Sequence, residues 1–89
     1  MITTAQLADI SSKIKALGVD ESILSQLRQD YQSIHFTYCM DDDIGSYEPV
    51  LTETEFNLYL IDGREHCLCL TNNHDVATGI VIAEVVADE

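Results

Sequence analysis

The chain has 89 residues, of which 46% are hydrophobic, and a formal net charge of −12 at pH 7. The length predicts a single domain over residues 1–89, and the apolar fraction excludes a wholly disordered chain. The charge excludes direct nucleic-acid binding through phosphates and disfavours acidic membrane surfaces. It is also uneven: the first 31 residues hold four acidic and three basic residues, and the rest hold twelve acidic residues and Arg64.

Targeting signals and thiols predict a location for the protein. No stretch approaches the roughly 18 apolar residues of a membrane span, so we expect no membrane segment. The first residues lack a basic start followed by an apolar core, so no signal peptide is expected. Three cysteines are an odd count, which fits reduced thiols in a cytoplasm.

Two helices are predicted at the N-terminus, over residues 3–17 and 21–31. In the first, Thr3 and Gln6 fit a capping box, and Gly18 supplies a left-handed stop. For the second helix, Asp20 is the predicted N-cap. The apolar residues recur at spacings of three and four, which predicts one buried stripe on each helix. These residues are Leu7, Ile10, Ile14 and Leu17 in the first helix and Ile23, Leu24, Leu27 and Tyr31 in the second.

A strand is predicted over residues 33–40, where apolar and other residues alternate. Residues 41–54 then form the longest segment without periodicity, and Val50 and Leu51 are expected to anchor its middle. Segments of this length in a small domain are often mobile or functional.

Residues 56–71 read as a β-hairpin around Asp62-Gly63, a dipeptide with strong turn character. A type I turn with Gly63 in the left-handed conformation predicts that Leu60 pairs with Arg64. This register joins Leu68 and Leu70 to the row of Phe56, Leu58 and Leu60, and it places Cys67 and Cys69 with Tyr59 on the other face. A two-residue turn would shift the register by one and place both cysteines among the leucines.

Residues 78–86 predict a last strand that is apolar on both faces, as in a central strand or one at a subunit interface. The order predicts an α+β fold: an N-terminal helical hairpin (residues 1–31) packed on one face of a four-stranded, mainly antiparallel sheet (residues 32–89). The helices cover one face only. The other face predicts a homodimer or a tight protein partner, unless the long loop and tyrosine side chains cover it.

The cysteines are the candidate metal ligands. Cys67 and Cys69 lie on one face of a strand, and Cys39 and His35 can join them if their strand is a neighbour. The competing interpretation, core or interface packing, is favoured because cysteine often acts as a small hydrophobe and the spacing lacks a two-residue knuckle. No metal site is therefore assigned, and no cofactor is expected.

Three consecutive aspartates, Asp41 to Asp43, raise the alternative of a hard-cation site, but the EF-hand positions fail: Ser46 and Thr52 stand where glycine and glutamate are needed. A solvated acidic loop is favoured. No nucleophile with a fixed partner and no phosphate-binding glycine loop is present in the sequence, so we assign no catalytic residue and expect no enzyme.

The segments YCMDDDI, EHCLCLT and ATGIVIAEV resemble a family of short uncharacterised bacterial proteins that occur with nitrogen-fixation genes. The resemblance runs from Ser33 to Val86, carries over no site residue, and implies a cytoplasmic accessory protein. The leading prediction is an acidic protein that acts through protein–protein contacts. The rivals are a metal- or redox-handling accessory protein that uses Cys67 and Cys69, and an acidic decoy for a nucleic-acid-binding protein.

Overall fold

A computed structural model of the chain describes residues 2–44, 47–63 and 69–85. Two helices precede a mixed sheet of five strands, which confirms the predicted α+β architecture. The helices are α1 (Thr4–Leu17) and α2 (Ser22–Asp30); the strands are β1 (His35–Met40), β2 (Leu51–Thr52), β3 (Phe56–Asp62), β4 (Cys69–Thr71) and β5 (Gly79–Glu84). Neither described helix has the length and apolarity needed to cross a membrane.

The ends of the helices follow from the sequence. Thr3 accepts from the Gln6 backbone N–H while the Gln6 side chain accepts from the Thr3 N–H, as the capping box predicted. Gly18 ends α1 with a positive φ of 101°. The prediction that Asp20 is the N-cap of α2 is off by one residue: Glu21 is the N-cap, although the Asp20 carboxylate still accepts from the Ser22 N–H at 2.9 Å.

The main core lies between the helices and one face of the sheet. It contains Leu7, Ile10 and Ile14 of α1, the buried face of α2, and the apolar residues of the strands that point the same way. Leu17 was predicted to belong to this stripe, but it is 64% exposed, because it lies at the last position of α1. The polar Ser11 is buried instead.

The sheet has the strand order β1-β5-β3-β2, and β4 also pairs with β3. β5 is parallel to β1 and antiparallel to β3. The sheet therefore has one strand more than the four predicted. The extra strand is β2, which lies within the segment expected to be a loop and pairs Leu51 with Leu58. Val50 and Leu51 pack against the core, as expected.

The predicted hairpin register is wrong. β3 and β4 pair Leu60 with Thr71, Ile61 with Leu70, and Asp62 with Cys69. Leu70 packs on the Tyr59 face, and Cys69 shares a face with Leu60. Arg64, Cys67 and Leu68 lie outside the described residues.

The second face of the sheet is largely closed within the single chain. Tyr59 is 3% exposed and Val81 5%, and Ile61 and Ala83 are buried beside them. Cys39, Ile44 and Leu70 pack against this cluster. Because β5 lies between β1 and β3, its apolar character on both faces is that of a central strand. The expectation that the chain itself leaves this face uncovered is therefore corrected over β3 and β5.

The N-terminus is attached to the connection between β4 and β5. The Ile2 backbone N–H donates to the His74 carbonyl at 3.0 Å, and His74 Nδ1 lies 2.9 Å from the Ile2 carbonyl oxygen. A carbonyl oxygen only accepts, so Nδ1 carries the proton in this contact. The two bonds hold the Ile2 side chain in the core.

Candidate functional site

The outer side of β1 presents unpaired backbone groups. The His35 N–H donates to Thr78, so His35, Thr37 and Cys39 direct their N–H and C=O groups towards β5. The backbone groups of Phe36, Tyr38 and Met40 therefore point away from the sheet. No described strand pairs with this side of β1. We call these outward groups the β1 edge.

Arg28 covers one group of the β1 edge. Its Nη2 donates to the Phe36 carbonyl oxygen at 3.0 Å from the neighbouring helix α2. The other two basic residues of the described part form ion pairs: Lys13 with Asp30 at 2.8 Å and Lys15 with Glu53 at 3.4 Å. Among the described basic residues, Arg28 therefore binds a neutral carbonyl group, whereas the two lysines bind carboxylates. A charge at a strand edge is a common means of preventing uncontrolled pairing.

Acidic groups lie at the end of β1 opposite to Arg28. Met40 pairs with Glu84, and the 3-10 helix Asp41–Asp43 follows directly. The Tyr38 hydroxyl donates to the Glu84 carboxylate. This hydrogen bond, together with burial and the negative charges of Glu84, Asp20 and Glu21, raises the pKa of Tyr38 to about 12. The β1 edge therefore has a positive end at Phe36 and a negative end at Met40.

A polar cluster turns the acidic segment onto the second face. Asp41 Oδ1 accepts from Asn57 Nδ2 at 3.0 Å and from the Tyr59 hydroxyl at 2.9 Å. Burial and the Asp41 carboxylate raise the pKa of Tyr59; burial and the charges of Asp43 and Asp41 raise that of Cys39. The Cys39 thiol is therefore held protonated, which suits packing better than nucleophilic or metal chemistry.

The three candidate metal ligands that the structure describes, His35, Cys39 and Cys69, are not brought together. His35 is exposed at the start of β1, and Cys39 lies four residues further along the same strand, about 13 Å away by strand geometry. Cys69 is exposed and pairs with Asp62, three strands from β1 and on the opposite face. Cys67 lies outside the described residues. Within the described part, no group of three His, Cys, Asp or Glu side chains is arranged to hold a metal ion.

A groove of about 330 Å³ lies at the start of β1. Its walls include His35, Thr37 and Thr78, and the Thr78 hydroxyl accepts from the Gly63 N–H at 2.9 Å. The groove extends from β1 past Thr78 to Ile61 and Gly63, on the paired side of β1, so it is not part of the β1 edge. Sequence patterns did not indicate the β1 edge, because which side of a strand stays unpaired depends on the order of the strands.

The fold and this surface define a class: a small acidic α+β protein in which strand β1 presents an unpaired edge. The chain belongs to a family of unknown function, DUF6129, which matches residues 7–85. Membership of a family of uncharacterised proteins is thus confirmed, and the match also includes α2 and most of α1. Comparisons with curated proteins and with solved structures found no match.

Proposed function

We propose that the chain is a cytoplasmic accessory protein of bacteria that acts through protein–protein contacts and forms a homodimer. The observation that supports this function is the β1 edge. Its six-residue strand carries outward backbone groups at three positions, and one of them, the Phe36 carbonyl, is covered by Arg28. Unpaired edges of this kind bind a further strand through main-chain hydrogen bonds.

The apolar pattern of the sequence predicted an interface on the second face of the sheet. The structure supports a different location for the interface. Tyr59, Ile61, Val81 and Ala83 are already buried in one copy, so they offer little further apolar area. Within the described part of the chain, we assign the partner to the edge of β1, with the exposed side chains of His35 and Thr37 beside it. The resemblance to bacterial proteins that occur with nitrogen-fixation genes supports an accessory role in that setting.

Native mass spectrometry of untagged protein, purified under reducing conditions, tests this proposal. We expect a metal-free dimer. A monomer at all concentrations would contradict the homodimer. A species with a fixed metal stoichiometry that is lost on Cys67→Ser with Cys69→Ser would instead favour the metal-handling alternative.

A further inference from the structure

We propose that two copies join their β1 strands antiparallel, centred on Tyr38, so that two sheets become one; this inference rests on the proposed homodimer. Centring on Tyr38 brings all three outward-facing residues of each copy into register. Tyr38 then lies opposite Tyr38, and Phe36 lies opposite Met40 of the second copy. Alternate residues exchange both backbone hydrogen bonds in such a pair, which satisfies the whole β1 edge.

Charge complementarity selects this occupant. Each copy carries −12, so most ways of joining two copies bring acidic surfaces together. The antiparallel arrangement instead places the Arg28 end of one strand beside the Glu84 end of the other, twice by symmetry. Arg28 exchanges its contact with the Phe36 carbonyl for the Glu84 carboxylate of the second copy. The Phe36 carbonyl then accepts from Met40 N–H of the second copy.

A cysteine cross-link tests the register. In this arrangement Thr37, which is exposed, lies opposite the native Cys39 of the second copy in a non-hydrogen-bonded pair. Such pairs have Cα atoms about 4.5 Å apart, within the range that a disulfide spans. Thr37→Cys should therefore form a covalent dimer under mild oxidation, and peptide mass spectrometry should identify a bond between the introduced thiol and Cys39. His35→Cys is the control. In this register position 35 lies opposite position 41 of the second copy, two residues from Cys39, so its thiol should not form that bond.

A proline substitution tests the edge without disturbing the fold. Met40 has φ −85° and ψ 144°, which proline adopts, and its N–H points away from the sheet. Met40→Pro should fold and be monomeric, whereas Met40→Ala, which keeps the N–H, should remain dimeric.

Arg28→Gln should raise the dissociation constant about tenfold, since it removes two charge pairs per dimer. If Arg28 served only to block the edge, this substitution would tighten the dimer.

The outcomes separate the two proposals. A wild-type dimer with the Thr37→Cys cross-link and a monomeric Met40→Pro variant supports the β1 pairing. A wild-type dimer in which the cross-link fails and Met40→Pro stays dimeric would overturn the β1 pairing and leave the homodimer in place. A monomeric wild type would overturn both.

Discussion

Ser11 shows how a single side chain joins distant elements. It is 2% exposed in α1, and its hydroxyl donates to Glu53 Oε2 at 2.8 Å, in the turn between β2 and β3. This hydrogen bond, with a further contribution from Lys15, holds the pKa of Glu53 below its ordinary value. The ionised carboxylate therefore stabilises the fold above the ordinary pKa of glutamate, and this contribution is lost as the pH falls through the lowered value.

We expect Ser11→Ala to be less stable than Ser12→Ala by about 1 kcal/mol, the usual contribution of one hydrogen bond. Ser12 is the matched control because it is the next residue of α1 and is exposed, so both variants gain the same helix propensity. Urea denaturation at neutral pH measures the difference. Equal stability of the two variants would show that the bond to Glu53 contributes nothing.

Tyr38 links β1 to the acidic end of β5. Its pKa of about 12 exceeds the usual 10, so the neutral phenol contributes stability fully below pH 10, and this contribution is lost as the pH rises to about 12. The hydrogen bond to Glu84 is the largest cause. We therefore expect Glu84→Gln to lower the pKa of Tyr38, measured as an earlier last step in an ultraviolet titration of the tyrosines. An unchanged last step would contradict this cause, and Tyr38→Phe identifies the step.

At the scale of elements, the sequence predicted the helices closely and the strand partners poorly. Helix ends depend on local chemistry, such as the Thr3–Gln6 capping box and Gly18, which is visible in the sequence. The pairing of β3 depends on distant residues: it pairs over six positions with β5 and over three with β4. The turn propensity of Asp62-Gly63 is a local preference, and these longer-range pairings override it.

The same reasoning explains which parts of the candidate site were predicted. The alternation of residues 33–40 predicted the strand, and the structure places Phe36 and Tyr38 against the core. It could not show that β1 lies at the edge, because strand order arises from the parallel crossover between β1 and β5. The cysteines were candidate metal ligands because of their residue type. The register of β4 and the position of β1 separate Cys69 from Cys39.

The close approach of β1 and β5 depends on Gly79. A Cβ atom at this position would lie 2.8 Å from the His35 carbonyl oxygen and 3.0 Å from its Cβ. We expect Gly79→Ala to destabilise the protein by about 1–3 kcal/mol, the usual cost of overpacking, since a backbone atom cannot rotate away. The double variant with His35→Ala should recover little of this loss in urea denaturation. Full recovery would mean that the His35 side chain, rather than the backbone, sets the limit.

At the scale of the whole molecule, charge governs association. Two copies with a net charge of −12 each repel at long range. At physiological ionic strength, salt screens this repulsion between charges more than about 8 Å apart. We therefore expect the dimer to strengthen as salt rises from about 10 mM to about 150 mM, measured by sedimentation equilibrium. An acidic decoy bound to a basic partner would show the opposite dependence, because its attraction is screened.

The most direct test compares backbone amides of β1 in the wild-type protein by hydrogen exchange resolved by NMR. The amides of Tyr38 and Met40 point outward, while those of Thr37 and Cys39 are bonded to β5 and serve as internal controls. If two copies pair through β1, exchange at Tyr38 and Met40 slows as the protein concentration rises, and the controls stay protected throughout. Fast exchange at Tyr38 and Met40 at every concentration would contradict the β1 pairing.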